Sequence, residues 1–251
     1  MLFRSVNEAL GASLTLPLVL PLVAQRWDLS FVVWAAFVAL TAVILMVATR
    51  DEPRHERSSG VRWFPNFRSP VQWQLGILQA AASIAYFGAN AFVPDYLHAT
   101  NSAGLVAPAL AALNIAQLPA SLVVGLVPLR ILALPASSFS VAALLALAVV
   151  AFLAGGGWAI VGAAMVGFGA AYLLIVTFAL PPLIAGPGDV ARLSAGTFTI
   201  AYASAFLVSL GAGALWDATH LAVLALLPIA AAPLIVVALG PALSRTAIPR
   251  A

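Results

Sequence analysis

Apolar residues run along this chain in long blocks with short interruptions. Eight blocks can be marked, at about 6–24, 29–49, 72–94, 103–128, 131–153, 158–184, 194–215 and 220–241. A helix rises ~1.5 Å per residue, so each block is long enough to cross a hydrocarbon core of ~30 Å. No block reads as a strand. The first carries Asn7 and Glu8 and has no small-residue cleavage site after its apolar core, so a retained helix is expected there rather than a signal peptide.

The third block departs from uniform apolarity. Between Trp73 and Tyr96 stand Gln79, Ser83, Tyr86 and Asn90, at spacings of four, three and four residues, which put them on one helical face. Hydrocarbon does not solvate amides and hydroxyls, so this stripe must face other helices or a water-filled cavity. The other blocks differ in polar content. The fourth holds Asn114, Gln117 and Ser121 at helical spacing, the sixth Tyr172 and Thr177, and the seventh a series from Ser194 to Ser209. The second, fifth and eighth offer little and are expected to be outer, lipid-facing helices.

Composition settles the class. Hydrophobic residues make up 63% of the 251 and charged residues 8%, far from the roughly one-quarter charge of soluble domains. The expected fold class is an all-α membrane protein with about eight transmembrane helices. There is no cysteine, which removes disulfides, thiolate metal sites and cysteine nucleophiles. The formal charge of +3 rests on 11 Arg and no Lys. These arginines sort by side of the membrane and are not a nucleic-acid footprint. With the first residue cytoplasmic, the inside segments hold Arg4, Arg50, Arg54, Arg57, Arg62, Arg68, Arg130, Arg192, Arg245 and Arg250, and the outside segments hold Arg26 alone. Cytoplasmic loops carry such an excess. The expectation is a multi-pass protein of the inner (plasma) membrane with both termini cytoplasmic. The one long connection, 50–71, mixes Arg, Asp and Glu with Trp63, Phe64 and Phe67, a solvated linker with an interfacial aromatic anchor.

Several motifs together carry a resemblance: NEALGASLTLPLVLPL from Asn7, WDLSFVVW from Trp27, VQWQLG from Val71 and FVPDYL from Phe92. In these, and in its rhythm of two richer helices followed by one bland one, the chain resembles the major facilitator superfamily, most closely the cyanate-permease and nitroimidazole-exporter type. The resemblance implies that 1–49 forms the last two helices of an N-terminal bundle, 50–71 the central cytoplasmic loop and 72–251 a six-helix C-terminal bundle. It leaves the family's first four helices without a counterpart, a truncated major-facilitator architecture. One departure is visible: the Gly-rich, Asp/Arg-bearing cytoplasmic signature of the family is reduced to GLVPLR at Gly125–Arg130.

The function implied is secondary active transport of a small solute by alternating access, either an anion or a small drug-like molecule. Transport could also belong to a longer protein of which this chain is a fragment. Candidate solute-binding residues are Gln79, Tyr86, Asn90, Asn114, Gln117 and Tyr172, since amides donate and accept and tyrosine adds a flat wall with a hydroxyl. The same groups suit helix-to-helix hydrogen bonds, and the alternative is a non-transporting membrane protein with a structural or partner-binding role. Glu8, the one acid inside a block, is a candidate for proton coupling, and Asp95, beside Pro94 at the outer end of the third block, for a gate. Gly162, Gly167 and Gly169 would permit close helix approach, and Pro17, Pro21 and Pro119 would kink their helices. His55, His98 and His220 fall in separate connections without metal-ligand spacing, and no phosphate-binding glycine motif follows a strand. No enzyme, cofactor or nucleic-acid partner is expected. The partners expected are the bilayer, the solute, and a second copy or another chain completing the cavity.

Overall fold

The computed structural model describes residues 26–48, 64–132, 134–186 and 188–247. The first apolar block with Glu8, and Trp63 in the long connection, lie outside them. Among the described residues all regular structure is helical. In chain order the elements are α1 (Trp27–Ala48), α2 (Pro70–Ala99), α3 (Val106–Ile115), α4 (Gln117–Leu126), α5 (Leu129–Leu132), α6 (Pro135–Ala154), α7 (Trp158–Ala179), α8 (Pro181–Ile184), α9 (Val190–Thr219) and α10 (Leu227–Ala247). Short 3-10 turns at Ala103–Leu105 and Ala222–Leu226 lead into α3 and α10.

Six helical segments are long and apolar enough to cross a membrane: Pro70–Ala99, Ala103–Leu126, Pro135–Ala154, Trp158–Ile184, Val190–Thr219 and Ala222–Pro241. The chain is a multi-pass membrane protein with an all-helical described structure. α1 covers the second block with 22 helical residues, of which Asp28 in the first turn is the one charged residue. Large side chains such as Leu126, Leu234 and Phe206 stand exposed around the bundle. Such a surface suits hydrocarbon and not water.

Local chemistry sets the ends. Pro70 and Pro135 occupy first-turn positions, where the missing N–H costs nothing and the fixed φ suits a helix. α6 stops at Gly155, whose φ of 72° lies in the left-handed region that ends helices. The sequence places the end of the third block at Pro94, yet α2 continues through it to Ala99. The cost of that proline is one backbone N–H, which membrane helices accommodate. The fourth block is two helices interrupted at Ala116. Pro119 has no N–H to offer the Ile115 carbonyl, so the ladder breaks there.

Two helices form the centre. About 67% of the spanning window is buried in each of α2 and α7, against 22–39% in the other four. α2 packs on α7, α9 and α10, and α7 packs on α2, α3, α4 and α6, while α6 and α10 also meet. The polar content of the blocks therefore does not rank them by burial. α9, rich in hydroxyls, is the most exposed span and the bland α10 is more buried than α3–α4. Small residues bring the backbones together. A Cβ at Gly162 would stand 2.9 Å from the Ala148 carbonyl of α6, and one at Gly167 would run into the Leu113 carbonyl of α3. This is the close approach expected of α7's glycines.

The six spans alternate in direction, so the connections gather at two ends. At one end Gln72 bonds the Leu193 carbonyl and Gly240 abuts Ser138. At the other the Tyr96 hydroxyl donates to the Phe152 carbonyl at 2.8 Å and Gly88 abuts Pro228. Arg68, Arg130, Arg192 and Arg245 fall in the connections and helix ends on the first side, and Asp95, His98, Asp217 and His220 on the second.

Candidate functional site

The centres of the spans meet at a cavity of about 290 Å³, enclosed by Ala82, Ser83, Tyr86 and Phe87 of α2, Gln117 of α4, Ala170, Ala171 and Leu174 of α7, and Tyr202 of α9. Ser83 and Tyr86 lie near the middle of α2, Ala170 and Ala171 of α7, Tyr202 of α9, and Gln117 of the Ala103–Leu126 span. The cavity therefore sits at mid-depth in the bundle. No charged side chain lines it.

One polar wall is cross-linked. The Tyr86 hydroxyl donates to Asn114 Oδ1 at 2.8 Å, and Gln117 Nε2 donates to the same oxygen at 3.2 Å. Asn114 in turn donates from Nδ2 to the Leu110 carbonyl at 2.8 Å. Asn114 is 1% exposed, so its carbonyl oxygen, saturated by two donors, acts as a fixed post that orients Tyr86 and Gln117 beside the cavity. Ala116, where α3 passes into α4 with its backbone still in the right-handed helical region, lies between the two amides.

The adjoining wall is aromatic and begins at the same tyrosine. The Tyr86 and Phe87 ring centroids lie 5.4 Å apart, and Phe87 and Tyr202 5.9 Å apart. Tyr202 stacks on Phe198 at 6.1 Å with an interplanar angle of 8°, and Phe198 packs on Phe178 at 4.8 Å. The ladder runs from the cavity toward the arginine-bearing end and offers flat, weakly polar faces.

Of the six residues the sequence singles out for solute binding, Tyr86, Asn114 and Gln117 come together here. Gln79 is 1% exposed, one helical turn from Ser83, and its Nε2 has no hydrogen-bond partner among the described residues. Asn90 lies one turn beyond Tyr86 and donates from Nδ2 to the Tyr86 carbonyl at 2.9 Å, away from the cavity lining. Tyr172 is turned to another face of α7, where its hydroxyl meets Ser137 of α6 and donates to the Leu132 carbonyl at 3.3 Å. Asp95 is exposed on the last turns of α2. Glu8 lies outside the described residues.

The sequence leaves Phe87 and Tyr202 out of the site. Tyr202 is legible afterwards as a tyrosine at the middle of a hydroxyl-rich span, and Phe87 carries no such mark. Gln72 is the other omission. It stands seven residues before Gln79, on the same face, and donates to the Leu193 carbonyl at 3.0 Å and to Thr197 Oγ1 at 3.2 Å. A Cβ at Gly196 would stand 2.6 Å from its amide carbon, so the glycine makes room for this clamp between α2 and α9.

Comparison with known proteins adds no relative: no protein-family model, curated protein or solved structure matches the chain.

Proposed function

We propose that the chain is a secondary carrier of the major-facilitator type, moving a small solute through the bundle by alternating access with the central cavity as its binding site. The observation that carries this is the convergence of side chains from the centres of four spans on one cavity, with a hydrogen-bonded amide wall joined to an aromatic one. Carriers bind at mid-depth, often at interrupted helices, because two bundles rock around a fixed site. The α3–α4 interruption beside Asn114 and Gln117 fits that use.

The lining narrows the solute. A bare inorganic anion would have only dipoles to hold it, whereas a flat, neutral molecule with hydrogen-bonding edges matches both walls. The arginine-bearing end is cytoplasmic and the membrane is the inner (plasma) membrane. A second copy of the chain, or another chain, faces the exposed flank of α9 and completes the enclosure. A second reading rests on a specific observation: Asn90, Asn114 and Tyr172 all have hydrogen bonds within the bundle, as packing residues of a non-transporting scaffold would.

The deciding experiment is flux in reconstituted vesicles with a panel of cyanate-like anions and nitroaromatic compounds, comparing the wild type with Gln117→Leu. Gln117 is 4% exposed and lines the cavity. The expected result is a flux lowered about tenfold, the effect of losing one orienting hydrogen bond, with helical content unchanged. No flux above protein-free vesicles for any solute of the panel, with Gln117→Leu lowering thermal stability, would support the scaffold.

A further inference from the structure

At the arginine-bearing end the starts of α2 and α9 and the α8 turn enclose a second crevice of about 220 Å³. Its polar wall is made by Asn66, Ser69, Gln72, Asp189 and Arg192. The Arg192 side chain is 14% exposed and donates from Nη1 to Asp189 Oδ1 at 3.1 Å, while Asp189 is 49% exposed. That bond uses one of five guanidinium N–H donors and one of two carboxylate oxygens, so the crevice presents a cation and an anion side by side with capacity on each. Ser69 makes no cap bond to α2, which leaves its hydroxyl for a ligand.

The depth of the crevice follows from its neighbours. Phe64, Phe67 and Trp73 are exposed, with centroids 6.2 Å and 6.5 Å apart along the series, and Trp73 Nε1 donates to the Phe67 carbonyl at 2.8 Å. Tryptophan, a ring with one polar edge, collects at the headgroup level of a bilayer, and the two phenylalanine rings pack in series beside Trp73. Asn66 and Ser69 are interleaved with these rings in the chain, so the crevice opens among headgroups.

We propose that it binds the headgroup of a phospholipid bearing a primary ammonium two carbons from its phosphate, with the phosphate on Arg192 and Ser69 and the ammonium on Asp189. A headgroup without the ammonium leaves Asp189 facing a phosphate. A trimethylammonium has no N–H to donate to the carboxylate. The solute cavity plays no part in this site, and the inference does not depend on transport.

The test is lipid retention by the full chain, purified in detergent and read by native mass spectrometry after exchange into an equimolar mixture of ethanolamine, choline and glycerol phospholipids with identical acyl chains. The expected result is a preference of about tenfold for the ethanolamine lipid, the effect of one charge-assisted hydrogen bond. Asp189→Asn abolishes the preference over the choline lipid, Asp189→Glu retains it, and Arg192→Gln lowers retention of all three. Equal retention of the three lipids by the wild type, or a preference that survives Asp189→Asn, would overturn the proposal. So would loss of the preference in Asp189→Glu while the variant remains folded and monodisperse. Displacement by soluble phosphoethanolamine at the lipid's own concentration would assign the site to a free metabolite and overturn the lipid source.

Discussion

Gln79 carries an amide nitrogen that has given up water without gaining a partner among the described residues. Its Nε2 is buried one turn from the cavity wall, and an amide donor left in that condition costs about 1–3 kcal/mol. Gln79→Leu keeps most of the volume and removes the donor. The expected outcome is a stability gain of about 1 kcal/mol, read by unfolding in mixed micelles, together with a fall in flux if the solute takes the donor's hydrogen bond. A loss of stability would show that the amide is satisfied in the folded protein. Tyr86, Asn114 and Gln117 could be singled out beforehand because a polar group in a long apolar block stands out. Tyr172 stands out just as clearly, but a single tyrosine says nothing about which face of its helix will be inward. On α7 the cavity takes Ala170, Ala171 and Leu174, which carry no polar mark, and the hydroxyl turns to α6. Polarity identifies the residues that need partners, and packing decides where those partners are.

At the scale of elements, the contact between α3 and α7 links stability to the site. A Cβ at Gly167 would collide with the Leu113 backbone carbonyl, which cannot rotate aside as a side chain would. Leu113 precedes Asn114, so moving α3 off α7 also moves the oxygen that orients Tyr86 and Gln117. Gly167→Ala is therefore expected to destabilise the fold by about 1–3 kcal/mol, as overpacking does, and to lower flux although position 167 is outside the cavity lining. A thermal-shift measurement beside a flux assay checks both effects, and normal stability would contradict the close approach. Block positions were legible at this scale because a run of apolar residues specifies a span by length alone. Block ends were less so. Pro94 reads as a stop, yet surrounding helices hold α2 in register for a further turn, and the interruption at Ala116 depends on a proline three residues later.

For the whole molecule, the two most buried spans, α2 and α7, are among the four that polar content marks, but hydroxyl-rich α9, also among the four, lies at the periphery. Burial within a bundle depends on which neighbours surround a helix, and the sequence of one helix does not carry that. The separation of charge between the two ends was legible, because the arginines are spaced by whole spans. It leads to an accessibility prediction that the absence of native cysteine makes clean. In intact cells a membrane-impermeant maleimide should label His98→Cys at once and Gly186→Cys only after the membrane is opened. The reverse pattern would invert the orientation. Gly186 has open space around the position a Cβ would take, so the substitution itself is tolerated.

The Gln72 clamp also bears on how the protein would work as a carrier. α2 and α9 are fastened at their arginine-bearing ends by two hydrogen bonds of 3.0 and 3.2 Å, and farther along they stay in contact through Ala80, Ile84, Ala201 and Ala205. Hydrogen bonds between membrane helices contribute only about 0.6–1.7 kcal/mol each. The clamp is thus a staple of a few kcal/mol that, together with this apolar contact, ties α2 and α9 into one unit. In a carrier of the proposed kind, two helices stapled in this way would move together rather than apart.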